Sequence, residues 1–245
     1  RINNIDDVRG ELKKYKPNVV INCIGKTGRP NIDWCEDHKS ETLHSNVLVP
    51  FHILKACQEK GIYLVHLGTG CMYSGDNMGR GWSEEDEPNF YGSFYTITKI
   101  LSEKILKEYD NVLILRLRMP IDETKNERNL INKLLEYNKI IDIPNAITVF
   151  PDMLAPFKEL IDKRITGVIN FVNRGPIKHS ELLEIFEKIT KKQKWYEFID
   201  EDKLKSMTKA ERSNCVLSVE KLEKLGVKIT DVKEALTETF NKYSK

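Results

Sequence analysis

The chain has 245 residues, 40% of them hydrophobic and 31% charged, and its 39 Lys and Arg against 37 Asp and Glu leave a formal net charge of only +2. That is the balance of a globular protein with a sizeable core, and with no long basic block it argues against a dedicated nucleic-acid or membrane-surface binder. No run approaches the ~20 apolar residues of a membrane span, residues 1–7 lack an apolar export stretch, and five cysteines without a C-x-x-C favour neither disulfides nor zinc; a reducing, cytoplasmic setting is expected.

Residues 6–15 are polar and helix-prone, and Pro17 leads into the apolar run 18–25, which ends at Gly25. A helix followed by a buried parallel strand is half of a βαβ unit. A dinucleotide fold normally opens earlier, with a strand and a glycine-rich turn whose helix N-terminus holds a pyrophosphate. No such turn is present, so the first βαβ unit is expected to be missing from the chain. Gly25-Lys26-Thr27-Gly28 is not a phosphate loop: Val20 stands where the leading glycine belongs, and Pro30 breaks the helix that should follow. Residues 45–60 read as an amphipathic helix stopped by Gly61. His44 and His52 have no cysteine or carboxylate at metal-binding spacing, and no metal site is expected.

Residues 64–67 form a short apolar run bounded by Gly61 and Gly68, which suits a buried parallel strand. It runs into Gly68-Thr69-Gly70-Cys71, at the end of the strand where open α/β sheets place their ligands. Residues 93–106 carry Ile97, Ile100, Leu101 and Ile105 at helical spacing, so Tyr95 and Lys99, four apart, share one face. Of nine tyrosines, only Tyr95 has a lysine four residues on. Taken alone, the pattern reads by default as a solvated helix pair; the flanking residues change that. As chemistry, it suits a nicotinamide-dependent reductase: a ketone receiving hydride needs a proton on its oxygen, and a phenol with a pKa near ~10 donates well only if its phenolate is stabilised. A lysine at ~4 Å supplies up to roughly 4 kcal/mol for that at an effective dielectric of ~20. Thr69 is placed to complete a hydroxyl relay to the same oxygen.

Residues 111–117 make a further strand that exits through Arg118-Met119-Pro120. Beyond it, helices are expected at 129–137, 153–163, 180–189 and 232–243, a loop into a strand at 144–148, and a strand at 167–173. The alternation predicts an α/β fold, a Rossmann-like doubly wound parallel sheet. A dinucleotide-binding lobe over 1–119 precedes a smaller, mainly substrate-binding lobe over 120–245.

Five segments carry a specific resemblance: 27–36 from Thr27 to Glu36, Gly68-Thr69-Gly70-Cys71, Glu84-Glu85-Asp86-Glu87-Pro88-Asn89-Phe90, Gly92-Ser93-Phe94-Tyr95, and Arg118-Met119-Pro120. Together they resemble the bifunctional UDP-4-keto-6-deoxy-glucose 3,5-epimerase/4-reductases that form the C-terminal half of plant rhamnose synthases. These are extended short-chain dehydrogenases/reductases related to dTDP-4-dehydrorhamnose reductase. The resemblance implies that a late strand and helix return to the first lobe. It implies NADPH as the preferred cofactor, with NADH an alternative, held by Arg1, Asn22, Gly25, Tyr95, Lys99, Arg118 and Met119. Thr27, Arg29, Asn31, Asn129, Asn173, Arg212 and Asn214 would face the sugar nucleotide. Arg174 and Cys215 depart from the plant pattern, which keeps both UDP and dTDP sugars open.

A 4-keto sugar has acidified C–H bonds on both sides of its carbonyl, so an acid/base pair can remove and return those protons with inversion. Cys71, two residues past Thr69, is placed for that role, and the resemblance pairs it with Lys133. The thiol exchanges protons near neutral pH if a cation stabilises its thiolate; a small buried core cysteine is the plain alternative. Catalytic expectations are therefore Thr69, Tyr95, Lys99, Cys71 and Lys133. Two other functions stay open: a reductase that receives an already epimerised dTDP sugar, and a regulatory protein that binds sugar nucleotide without turnover. The implied partners are a UDP-sugar substrate, a second copy of the chain, and a 4,6-dehydratase on a separate chain, with no nucleic acid and no membrane.

Overall fold

The computed structural model describes residues 2–243. Helix α1 (Ile5–Tyr15) starts at a capping box in which the Asn4 side chain accepts from the Asp6 and Asp7 N–H groups. It leads into strand β1 (Val19–Asn22). Two short helices follow, α2 (Asp33–Asp37) and α3 (Lys39–Leu43), then a π-helical turn (His44–Leu48) that passes into α4 (Val49–Gln58). Strand β2 (Tyr63–Thr69), helix α5 (Phe94–Leu106) and strand β3 (Val112–Leu117) complete the first half.

The second half begins with α6 (Leu130–Glu136), the two-residue strand β4 (Lys139–Ile140), α7 (Phe150–Asp162) and β5 (Gly167–Asn170). It ends with α8 (His179–Thr190), β6 (Glu197–Phe198), α9 (Glu201–Met207), α10 (Glu220–Lys224) and α11 (Val232–Tyr243).

Strands β1, β2, β3 and β5 form one parallel sheet in that order, so β5 of the second half pairs with β3 of the first. Successive side chains of a strand face opposite ways, and in β2, β3 and β5 both faces are largely buried, whereas β1 leaves Ile21 exposed. Leu64, Val112, Ile114 and Val168 pack against α1 and α4, while Tyr63, Val65, Leu113, Leu115 and Ile169 pack against α7 and α10. This is why the strands read as continuous apolar runs. A separate core, with Ile131, Leu182, Phe186, Leu236 and Phe240 at its centre, joins α6, α8 and α11 beside the sheet.

The doubly wound parallel sheet is the fold class expected from sequence. Two details differ. Residues 144–148 enter no strand; Asn145 and Val149 make only isolated bridges, to Ile177 and Ile121. The expected helix at 45–60 is broken into a π turn and α4, a local widening of the kind that recurs at functional sites. Among the described residues no helix is long and apolar enough to cross a membrane, and no group of His, Cys, Asp and Glu is placed to hold a metal.

Candidate active site

The site is built where β2 and β3 end. Gly70 follows β2 and packs so closely on Leu217 that a Cβ would lie 2.5 Å from its Cδ1, so any larger residue would have to push that side chain aside. The Thr69 hydroxyl accepts the Cys71 N–H at 3.1 Å, turning the chain so that the half-buried thiol lies over the strand end. Helix α5 starts at the Ser93 cap, whose hydroxyl accepts the Thr96 N–H at 3.1 Å, and Glu36 of α2 accepts the Phe94 N–H at 2.7 Å. Thr96 also donates to the Cys71 carbonyl at 2.9 Å, which ties the first turn of α5 to the cysteine turn. Tyr95 and Lys99 then project towards β2.

Tyr95 is buried, with Thr69, Cys71 and Arg118 near enough to act on the charge of its phenol. Burial pushes its pKa well above the usual value and Cys71 adds to that, while Thr69 and Arg118 act the other way. At neutral pH it is a proton donor, not a phenolate. Lys99 is 5% exposed, and burial brings its pKa down to about 8. Its Nζ donates to the Leu67 carbonyl at 3.1 Å and lies 3.3 Å from His66 Nε2. The direct ammonium–phenol pairing expected from the four-residue spacing is therefore not what holds Lys99: the strand carbonyl and a histidine do.

Arg118 is the residue on which the site converges. Its guanidinium is 3% exposed and donates to Cys71 Sγ at 2.8 Å, to Asn145 Oδ1 at 2.6 Å and to the Ser213 carbonyl, while its Nε has no partner among the described residues. Burial works to lower its pKa, yet the Cys71 and Cys215 sulfurs more than offset that. Met119, next in sequence, takes a left-handed φ of 38° as the chain leaves the sheet.

The other expected residues fall into three groups. Asn22 is buried at the tip of β1 and bonded to His66 at 2.9 Å; the exposed Gly25 and Thr27 lie in the loop that follows. In that loop Gly28 has a left-handed φ of 72°, and a Cβ there would lie 2.5 Å from that of Trp34. Arg29 pairs with Glu127 at 3.0 Å, Asn31 caps the Asp33 N–H at 2.9 Å, and Arg212 pairs with Asp33 at 2.9 Å. These pairs draw the loop towards residues 127 and 212.

A second group is committed to the protein itself. Asn173 bonds to Val149 N, Asp152 and the Thr230 carbonyl, and Asn214 to Glu201 and Asn145. Asn129 donates to Asp122 and the Thr124 carbonyl, although its buried Oδ1 has no partner among the described residues. Lys133, on α6, is the third case. Burial lowers its pKa, Arg128 and Arg212 add to this, and Glu127 and Glu136 oppose it. Arg1 lies outside the described residues.

Sequence reasoning missed Asn46, in the π turn. Its Oδ1 accepts the Lys26 N–H at 2.6 Å, and its Nδ2 donates to the Lys26 carbonyl and to Thr98 Oγ1 at 3.0 and 3.1 Å. The only signal was a polar residue on an otherwise apolar face.

A parallel sheet with Thr69 at the end of β2, and Tyr95 and Lys99 on the helix packed beside it, is the arrangement of an enzyme of the short-chain dehydrogenase/reductase type. The RmlD substrate binding domain model matches residues 1–245, and the chain belongs to that family. It is 39% identical to the bifunctional dTDP-4-dehydrorhamnose 3,5-epimerase/dTDP-4-dehydrorhamnose reductase of Arabidopsis thaliana, covering 96% of this chain and 80% of that protein. It is 40% identical to the trifunctional UDP-glucose 4,6-dehydratase/UDP-4-keto-6-deoxy-D-glucose 3,5-epimerase/UDP-4-keto-L-rhamnose-reductase RHM1 of the same plant, again over 96% of this chain but only 36% of RHM1. The crystal structure of the L780 UDP-rhamnose synthase of Acanthamoeba polyphaga mimivirus superposes with a TM-score of 0.92 at 32% identity, covering 97% of this chain and 86% of that one.

Proposed function

We propose that the chain carries out the 3,5-epimerisation and 4-keto reduction of UDP-4-keto-6-deoxy-glucose to UDP-L-rhamnose, with NADPH as reductant. The relatives named above support reduction in rhamnose synthesis. The observation that carries the combined reading is the Arg118–Cys71 hydrogen bond at 2.8 Å together with the influence of both groups on the buried Tyr95 phenol. A substrate carbonyl at Tyr95 has its neighbouring carbons within range of the thiol.

In this reading Tyr95, kept protonated by burial, gives its proton to the C4 oxygen, and Thr69 orients that hydroxyl. Cys71 exchanges the protons beside the carbonyl. The Arg118–Cys71 hydrogen bond strengthens when the sulfur carries charge. Lys133 is the opposing acid/base, reached through movement of α6 or of the sugar. Residues 1–119 form the dinucleotide-binding lobe and 120–245 mainly the substrate lobe, with Arg29 and Arg212 available to the diphosphate once Glu127 and Asp33 are displaced.

The residues present fit the nicotinamide end of the cofactor. Lys99 is a buried cation without a carboxylate partner among the described residues, and Arg118 has a donor to spare. Tyr95, Lys99, Asn22, Gly25, Arg118 and Met119 would hold it. When bound, it supplies the hydride. A 4,6-dehydratase supplies the keto sugar.

The test is a pair of variants. Cys71→Ala should abolish solvent-deuterium incorporation at C3 and C5 yet still reduce a pre-epimerised sugar. Tyr95→Phe should do the reverse, losing about 10²–10⁴-fold in reduction. Reduction of the unepimerised substrate at the normal rate by Cys71→Ala would leave a reductase only.

A further inference from the structure

Lys99 is a buried ammonium in want of a counter-ion. Glu103, one helical turn on along α5, is the natural partner, but Arg116 of β3 has taken it: the guanidinium meets the carboxylate at 2.7 and 3.2 Å, with both side chains buried. The titratable groups facing Lys99 are then His66 from β2, Cys71 from the turn after it, and the already paired Glu103 on its own helix.

The hydrogen-bond pattern at His66 fixes what its ring offers. The Ile24 N–H donates to Asn22 Oδ1 at 3.0 Å, so the NH₂ end of that amide faces the ring. Asn22 Nδ2 lies 2.9 Å from His66 Nδ1 and donates to it, which makes Nδ1 the bare nitrogen. The ring is 1% exposed; burial and the nearby Lys99 keep its pKa well below the usual value, so it is neutral. A neutral imidazole with Nδ1 bare carries its hydrogen on Nε2, the atom 3.3 Å from Lys99 Nζ.

We propose that His66 is a positioning residue for Lys99: locked by Asn22 as the Nε2–H tautomer, it turns a donor towards Nζ and thereby favours the amine over the ammonium. An ammonium and an N–H donor oppose each other, whereas an amine lone pair accepts that hydrogen. The Leu67 carbonyl takes a hydrogen from either form. Burial and tautomer thus act in one direction, and Lys99 changes charge near pH 8. In the reaction proposed above, on which only the kinetic part of this inference rests, that change sets the alkaline limb of kcat, because the amine no longer supports a phenolate at Tyr95.

The test reads His66 and Lys99 directly. Two-bond ¹H–¹⁵N spectra of the histidine-labelled protein give the tautomer of His66. The ¹³Cε titration of labelled lysine, with Lys99→Arg to assign the signal, gives the charge of Lys99. Wild type should show Nε2–H and a midpoint near 8. Asn22→Asp replaces the donor by an acceptor, should flip His66 to Nδ1–H, and should leave at least tenfold less amine at pH 8. His66→Gln, whose amide can turn its oxygen to Nζ, should move the midpoint the same way if Asn22→Asp does not fold. An Nδ1–H tautomer in wild type, or a Lys99 midpoint unmoved in the variants that fold, overturns the proposal. Those outcomes leave the assignment of the reaction untouched, whereas loss of turnover in Tyr95→Phe with these spectra unchanged supports both. The alkaline limb of kcat, but not KM, should shift with the Lys99 midpoint.

Discussion

Arg116 and Arg118 stand two residues apart where β3 ends, and each guanidinium is 3% exposed, yet they are buried on different terms. Arg116 meets a carboxylate: Glu103 holds it through two nitrogens, and the Ser83 and Glu84 carbonyls accept from the rest. Arg118 meets no carboxylate among the described residues, only an amide oxygen, a carbonyl and sulfur. The first pair is closed on itself and holds α5 against the sheet. The second leaves its charge open to whichever neighbour can become an anion, and the nearest is Cys71. A buried charge left without its ordinary partner marks the place where chemistry is expected.

The comparison is broken most severely at the closed pair. Arg116→Met strands the Glu103 carboxylate in the core and should cost about 3–5 kcal/mol of unfolding free energy, read by urea denaturation. Stability equal to wild type would mean that the carboxylate escapes to water. Arg118→Met should act on chemistry instead: solvent-deuterium exchange at C3 and C5 falls about 100-fold, equivalent to about 2.7 kcal/mol, in a protein that still folds.

Lys99 extends the comparison to a third buried cation. Lys99→Met should end reduction but raise stability at pH 7 by about 1–3 kcal/mol, since the ammonium is buried unpaired and its pKa falls from 10.5 to about 8. The unfolded chain binds more protons than the folded one between pH 8 and ~10.4, so wild-type stability rises with pH across that window. The variant's advantage is full below pH 8 and gone above ~10.4; thermal melts across that range check it. The smallest effect belongs to the exposed Arg174–Glu223 pair at 2.8 Å, where Arg174→Ala should change unfolding by less than about 1 kcal/mol.

The sheet was legible because its strands are apolar on both faces and end at glycine or at a polar turn. Helix α5 was legible because Ile97, Ile100, Leu101 and Ile105 recur at helical spacing, although the fold buries Ile100 and leaves Ile97 and Leu101 exposed, and the same spacing put Tyr95 and Lys99 on one side. What the sequence did not disclose is written in contacts between distant residues. Arg116 and Glu103 are 13 apart, Asn46 and Thr98 are 52 apart, and Arg118 lies 95 before the Ser213 carbonyl it holds. Strands β4 and β6 are two residues each and exist only as partners, so neither has a pattern of its own. Asn173 and Asn214 illustrate a different limit: a polar residue in a substrate-like segment reads the same whether its amide faces a ligand or satisfies the backbone behind it.

Asn46 gives the π turn a mechanical meaning. One amide grips both the N–H and the carbonyl of Lys26 and also Thr98, which itself donates to the Tyr95 carbonyl at 2.7 Å. The amide therefore ties the loop beside β1 to the helix that bears the phenol, and removing it would free the loop from that helix.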